Sequence, residues 1–147
     1  MGQSLNDAAD GFEAIIEAID SSILFYSEPE EILSPPTEAG IAAELFFSRL
    51  RAVGPADKLF DVDATIEFST PSHAAGWSAA VRRIRALTTP FGALSVWAAV
   101  RANLTLGARV VSALPAGGGS LGGEVRKGYQ DGDRWTAEAR FIVRLQA

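Results

Sequence analysis

The chain has 147 residues, of which 48% are hydrophobic and 21% charged, and its formal net charge is −5. This composition indicates a globular protein, and the absence of cysteine excludes disulfides and thiolate metal sites. No apolar run approaches the roughly 18 residues of a membrane helix. The negative charge argues against nonspecific nucleic-acid binding, because neutralising phosphates requires clustered Lys and Arg.

The N-terminal segment predicts an amphipathic helix over residues 5–20. Ser4 is the expected N-cap, and Asp7 occupies the acidic position of a capping box. The apolar stripe has helical spacing and consists of Phe12, Ile15, Ile16 and Ile19. Residues 23–26 are then expected to form a short buried strand.

A proline- and glutamate-rich segment follows over residues 27–38. Proline removes a backbone donor and disfavours helix at the residue before it, so we predict a solvated or partner-facing loop. Residues 41–52 fit either a helix or a strand, and the aromatic pair Phe46-Phe47 favours the strand.

A strand with clear alternation is predicted over residues 59–69. Its apolar positions are every second residue: Phe60, Val62, Ala64, Ile66 and Phe68. Thr70 and Pro71 have the residue types of an N-cap and a first helical position, which predicts a helix that includes 74–87 and ends before Pro90. Its buried stripe would be Trp77, Val81, Ile84 and Leu87.

A second helix is predicted over residues 94–104, with Gly107 suited to its C-terminal stop. A glycine-rich loop and a final strand complete a terminal hairpin. The apolar face of that strand holds Trp135, Ala137, Ala139, Phe141, Val143 and Leu145. This order of elements predicts an α+β fold, a mostly antiparallel sheet of about 4–5 strands with helices packed on one face.

The glycine-rich loop matches the dinucleotide fingerprint in its letters, Gly117-x-Gly119-x-x-Gly122. That fingerprint requires a preceding strand, a helix that opens at the third glycine and a βαβ frame. Pro115 precedes the loop and only about 25 residues follow it. We therefore predict a flexible hairpin loop and no bound cofactor.

The only histidine, His73, has no recognisable nucleophile motif and no second ligand of its own type. We expect a surface or capping residue there, while a metal site built from carboxylates alone stays open.

Asp61, Asp63 and Glu67 share one face of a predicted strand, on which residues two apart, such as Asp61 and Asp63, lie about 6.5–7 Å from each other. Three interpretations fit this pattern: an acid/base pair, a solvated sheet face, or an acidic surface that lines an assembly. Arg140 and Arg144 lie on the polar face of the last strand. They would oppose the acids across the sheet or across a subunit boundary.

With these elements in order, the chain resembles the tail terminator (tail completion) proteins of long-tailed bacteriophages and related gene-transfer particles. The resemblance covers nearly the whole chain in three segments. These are the N-terminal helix with its short strand and Pro/Glu-rich segment, the strand 61–68 running into the helix 74–87, and the helix exit Leu104-Thr105-Leu106-Gly107 followed by a long hairpin.

The resemblance implies a single tail-terminator-like domain over residues 1–147 and a structural virion protein rather than an enzyme, without catalytic residues, metal or cofactor. Its subunits form a ring, typically a hexamer, which caps the head-proximal end of the tail tube. The ring ends polymerisation of the tail tube protein and joins the tail to the head connector or stopper protein. It is assembled in the host cytoplasm, DNA passes through its lumen without specific binding, and no membrane is involved.

Two sets of residues are expected to serve assembly. Asp61, Asp63 and Glu67, with Arg140 and Arg144, would face the lumen or a subunit interface, where the acids repel DNA phosphates. The expected assembly loops contain Glu28, Glu30, Glu31, Gly117, Gly118, Gly119, Ser120, Leu121, Gly122 and Gly123. Two alternatives remain: another neck subunit (a head completion or connector protein), or a small α+β enzyme or ligand-binding domain that uses the acids and His73.

Overall fold

A computed structural model of the chain describes residues 2–27, 40–54, 58–71, 77–116, 125–128 and 134–147. Within these ranges the elements are α1 (Leu5–Ile19), β1 (Leu24–Tyr26), β2 (Ala42–Val53), β3 (Leu59–Pro71), α2 (Trp77–Thr88), α3 (Val96–Ala102), β4 (Ser112–Pro115), β5 (Arg126–Gly128) and β6 (Arg134–Gln146). The sheet has the order β1-β2-β3-β6-β4, and β5 also pairs with β6. Among the described strand pairs, only β1 and β2 are parallel. The predicted α+β class is confirmed, with six strands in the described sheet.

The centre of the sheet is the antiparallel pair β3–β6. Each strand has 13 residues, and the register runs without a break from Leu59 opposite Gln146 to Pro71 opposite Arg134. Side chains alternate between the two faces along both strands, as their sequences predict. The inward side chains are buried: Val62, Ala64, Ile66, Phe68, Ala137, Ala139, Phe141, Val143 and Leu145.

The helices pack on this inner face. α1 begins with the predicted capping box, in which the Asp7 amide donates to Ser4 Oγ and the Ser4 amide donates to Asp7 Oδ2. The ring of Phe141 on β6 lies 5.3 Å from that of Phe12 on α1 and 5.1 Å from that of Trp97 on α3, measured between centroids. These aromatic contacts join two helices to the central strand pair in one hydrophobic core.

The expectation that Thr70 and Pro71 begin a helix is wrong. Both residues belong to β3, where Thr70 pairs with Trp135 and Pro71 with Arg134. Continued pairing with β6 outweighs the local capping signal, and Pro71 is the last residue of its strand, so its missing N–H interrupts no further pairing. α2 is described from Trp77, and the expected helical residues 74–76 lie outside the described part of the chain.

The second helix is shorter than predicted. The hydroxyl of Ser95 caps it by accepting from the Ala98 amide at 3.1 Å, so α3 starts at Val96 rather than Leu94. Leu94 and Leu104, the first and last residues of the predicted helix, lie beyond the ends of α3 and are exposed. Gly107 has a left-handed φ of +71°, but the expectation that it stops this helix is wrong, because α3 ends at Ala102 and its C-cap is Asn103.

The first two strands differ in how well they were predicted. Residues 42–53 form β2, which confirms the preference for a strand. A strand is found at Leu24–Tyr26, but the expectation that residues 23–26 form a buried strand is wrong in two respects: Ile23 is buried but precedes the strand, and Leu24 is 48% exposed. β1 has only three residues and lies at the edge of the described sheet, so its outward side chain is not covered there.

The close approach of α1 to the turn after α3 gives a stability prediction. A Cβ added at Gly11 would lie 2.6 Å from Leu106 Cβ and 3.3 Å from the Leu106 carbonyl oxygen. We expect Gly11→Ala to lower the free energy of unfolding by about 1–3 kcal/mol, because the clash forces the helix outward. Chemical denaturation measures this change.

Helix propensity alone gives the opposite sign, a gain of about 1 kcal/mol for the same substitution. Ala14→Gly, at an exposed position of the same helix, is the matched control and should lose about 1 kcal/mol. A Gly11→Ala chain more stable than the wild type would contradict the packing argument.

Candidate assembly surface on the outer face of the sheet

The predicted charged residues share the sheet face opposite the helices, which we call the outer face. In the β3–β6 register, Asp61 lies opposite Arg144, Thr65 opposite Arg140, and Glu67 opposite Glu138. Asp63 lies on the same face because it is two residues from Asp61. The structure therefore brings together Asp61, Asp63, Glu67, Arg140 and Arg144.

Arg144 holds Asp61 in a two-pronged ion pair within the sheet. Its Nε donates to Oδ1 at 2.9 Å and its Nη2 donates to Oδ2 at 3.1 Å. The hydrogen bond from Arg144 is the largest cause that lowers the pKa of Asp61 below its ordinary value, and the positive charges of Arg144 and Arg51 act in the same direction. The sequence left open whether Arg144 opposes an acid across its own sheet or across a subunit boundary. In the structure it pairs with Asp61 across its own sheet.

Asp63 is held by arginines from the other neighbouring strand. Arg51 Nη1 lies 3.2 Å from Oδ1, and Arg49 Nη1 lies 3.9 Å from Oδ2. Between Ser48 and Arg51, β2 advances three residues while β3 advances two, which is a β-bulge. Arg49 lies in this bulge with φ +56°.

A row of three glutamates crosses the sheet beside these ion pairs. Glu44, Glu67 and Glu138 are register partners on β2, β3 and β6. Glu44 is buried, Glu138 accepts a hydrogen bond from Arg140 on its own strand, and both Glu44 and Glu67 make further noncovalent contacts. Arg140 is therefore bonded to Glu138 and not to an acid of β3. The sequence analysis missed Glu44 and Glu138, because the register between strands cannot be read from one strand.

Two large apolar side chains also lie on the outer face. Phe46 is 42% exposed beside Thr65, and Leu114 is 49% exposed beside Ile142. A surface that mixes exposed large apolar groups with paired charges has the composition of a protein–protein contact. Only the adjacent pair Phe46-Phe47 hints at this surface in the sequence, since alternation along a strand directs one of the two side chains outward.

The paired charges of the outer face are better suited to contact with a protein partner than to acid/base catalysis. A carboxylate whose pKa is lowered stays ionised near neutral pH, so Asp61 is a poor general acid there and only a weak base. In the described ranges, no three His, Cys, Asp or Glu side chains are grouped so as to hold a metal ion. His73 lies outside these ranges, as do Glu28, Glu30, Glu31 and the glycine loop 117–123, so the structure does not place them.

Comparison with known proteins adds no relative. No protein-family model matches the chain, and no curated protein sequence matches it. Among the described residues, no helix is both long enough and apolar enough to cross a bilayer.

The ion pair between Asp61 and Arg144 gives a titration prediction. Arg144→Gln should raise the pKa of Asp61 towards its ordinary value of 3.8, because it removes the main donor and a positive charge. Carboxyl-detected NMR titration of Asp61 measures the change. Arg140→Gln is the matched control on the same strand and face, and it should leave the pKa of Asp61 unchanged.

The lowered pKa of Asp61 also determines how the stability of the fold changes with pH. The pKa of Asp61 is lower in the folded chain, so its ion pair stabilises the fold above the unfolded pKa. That contribution is lost as the pH falls through the folded pKa. The difference in unfolding free energy between the wild type and Arg144→Gln should therefore narrow below about pH 4. A constant difference down to pH 2 would contradict this assignment.

Proposed function

We propose that this chain is the ring-forming subunit that caps the head-proximal end of a phage tail tube, ends tube polymerisation and joins the tail to the head connector. The observation that carries the proposal is the outer face, which combines arginine–aspartate pairs with the exposed side chains of Phe46 and Leu114. Such a face is preformed and can be covered by a protein partner with little reorganisation. In this proposal it meets the tail tube protein.

The order of the elements also supports this function. The resemblance to tail terminators rests on an N-terminal helix, a short strand, a long strand that precedes a helix, and a hairpin with a long final strand. The described residues have these elements in this order, from α1 to β6. The order is compatible with another neck subunit as well, so the tube experiment below has to separate the two.

Electrostatics supports DNA passage only in part. Asp61 and Asp63 are neutralised by Arg144 and Arg51, so they no longer give the strand a uniformly acidic face. The expected repulsion of phosphate would have to come from other acids of this chain, whose net charge is −5. A contact with protein is therefore a better use of the outer face than a contact with the DNA lumen.

Tube growth in vitro tests the proposal. The tail tube protein from the same genome is polymerised with and without this chain, and tube lengths are measured by negative-stain electron microscopy. We expect shorter tubes as the chain is added, because a capped end adds no further subunits. Unchanged tube lengths at saturating concentration would contradict the terminator function and favour the other neck subunits.

Substitution of the outer apolar residues tests the surface itself. The double variant Phe46→Ser, Leu114→Ser should leave the free energy of unfolding within about 1 kcal/mol of the wild type, because both side chains are largely exposed. It should nevertheless fail to shorten tubes. Leu94→Ser, in the turn between α2 and α3, is the control of similar exposure outside the sheet, and it should cap normally. Normal capping by the double variant would assign the tube contact to another surface.

A further inference from the structure

Acidic and basic residues are separated along this chain. No Lys or Arg precedes Arg49, and no Asp or Glu lies between Glu67 and Glu124. The second stretch contains only arginines as charged residues at neutral pH: Arg82, Arg83, Arg85, Arg101 and Arg109. The helix from the acidic stretch and the two helices from the basic stretch all pack on the inner face of the sheet.

The exposed side of α1 carries an acidic patch made of Asp10, Glu13 and Glu17. These side chains are exposed, and none of them forms an ion pair with any residue that the structure describes. Like charges at i, i+3 and i+7 repel one another along a helix, and a glutamate in the last turn opposes the helix dipole. The exposed alanines Ala14 and Ala18 leave room beside the acids for a large side chain.

The basic stretch carries a complementary patch made of Arg82, Arg85, Phe91 and Arg101, which we call the arginine patch. Arg82, Arg85 and Arg101 are exposed and have no acidic partner in the described part of the chain. Phe91 is 74% exposed, more than any other large hydrophobic residue described. Among the described residues, its ring makes no aromatic contact.

Hydrogen bonds fix the loop that presents Phe91. The Thr89 hydroxyl donates to the Arg85 carbonyl at 2.6 Å, and the Ser95 hydroxyl donates to the Thr89 carbonyl at 2.5 Å. Arg101 donates to the Pro90 carbonyl, which ties α3 to the same loop. Aromatic and arginine side chains are enriched in protein–protein interfaces and their hot spots. This loop presents an exposed aromatic side chain with arginines beside it.

We propose that the arginine patch of one copy docks on the acidic patch of a second copy, with Phe91 against Ala14 and Ala18. This inference rests on the proposed ring function and names the contact between its subunits. The two patches lie on different helices, so a copy bound through one patch keeps the other available, which gives the head-to-tail contact that a ring requires. The outer face then remains for the tail tube.

One contact within the subunit shows the same chemistry. Arg83 on α2 donates to Asp20 at the end of α1 and, at 3.0 Å, to the Ser22 hydroxyl. The hydrogen bonds from Ser22 and Arg83 lower the pKa of Asp20. This pair joins one acid and one arginine where the two stretches meet, whereas the charges of the two patches have no ion-pair partner among the described residues.

Disulfide trapping tests the contact, because the chain has no cysteine of its own. Glu13→Cys and Arg85→Cys are made in separate chains that carry tags of different length, mixed at equal concentration and oxidised at low salt. Each chain has one thiol, so every disulfide is intermolecular. We expect the mixed dimer to exceed its statistical share of one half, with the two same-variant dimers suppressed, and the excess to disappear in 1 M salt, where the Debye length is about 3 Å.

A second pair of cysteine variants is the control for nonspecific disulfide formation. Glu13→Cys mixed with Ser48→Cys, an exposed position on β2, should give only the statistical share. A statistical share from Glu13→Cys with Arg85→Cys would overturn the proposed contact, even where the wild-type chain still shortens tubes and the ring function stands. Failure to shorten tubes together with a salt-sensitive mixed dimer would leave the contact in place and overturn the terminator function.

A chain that carries both Glu13→Cys and Arg85→Cys distinguishes a head-to-tail contact from a reciprocal twofold contact. A head-to-tail contact predicts a ladder of oxidised species above the dimer on non-reducing gels. Dimers as the largest oxidised species would show a reciprocal twofold contact and overturn the head-to-tail arrangement.

Discussion

The antiparallel pairing of β3 with β6 is the constraint on which the rest of the structure depends. One register places Val62 beside Val143 in the core and Asp61 beside Arg144 on the outer face. Because side chains alternate with a period of two, a slip of one residue would bury the charges and expose the core. The hydrophobic core and the charged outer surface therefore have a single common origin.

The two exposed sides of the molecule differ in how their charges are arranged. On the outer face, Arg144 and Arg51 hold Asp61 and Asp63 in fixed positions, so that surface is complete within one subunit. On the helices, the acidic patch and the arginine patch have no such partners among the described residues. A preformed face suits docking on a partner of fixed shape, and separated charges of opposite sign suit association between identical copies.

Much of the fold follows from residues that act locally, and the remainder depends on contacts between distant segments. Alternation predicted β3 and β6 and placed Asp61 and Arg144 on polar faces, because the strand period is a property of each segment alone. Pro71 was misjudged because its role is set by Arg134, far along the chain. The glutamate row through Glu44 and the bulge at Arg49 need the strand register, and the exposure of Phe91 needs the hydrogen bonds of its loop. No pattern within one segment contains this information.

We propose that the chain closes one end of a tail tube as a ring. Cryo-electron microscopy of tubes assembled with the chain tests this claim most directly, since it shows both position and symmetry. The account predicts a single ring of this chain at one end of each tube, with its sheets against the tube and its helices between neighbouring subunits. Density for this chain along the tube wall or at both tube ends would contradict this proposal, as would a chain that remains monomeric and unattached to tubes.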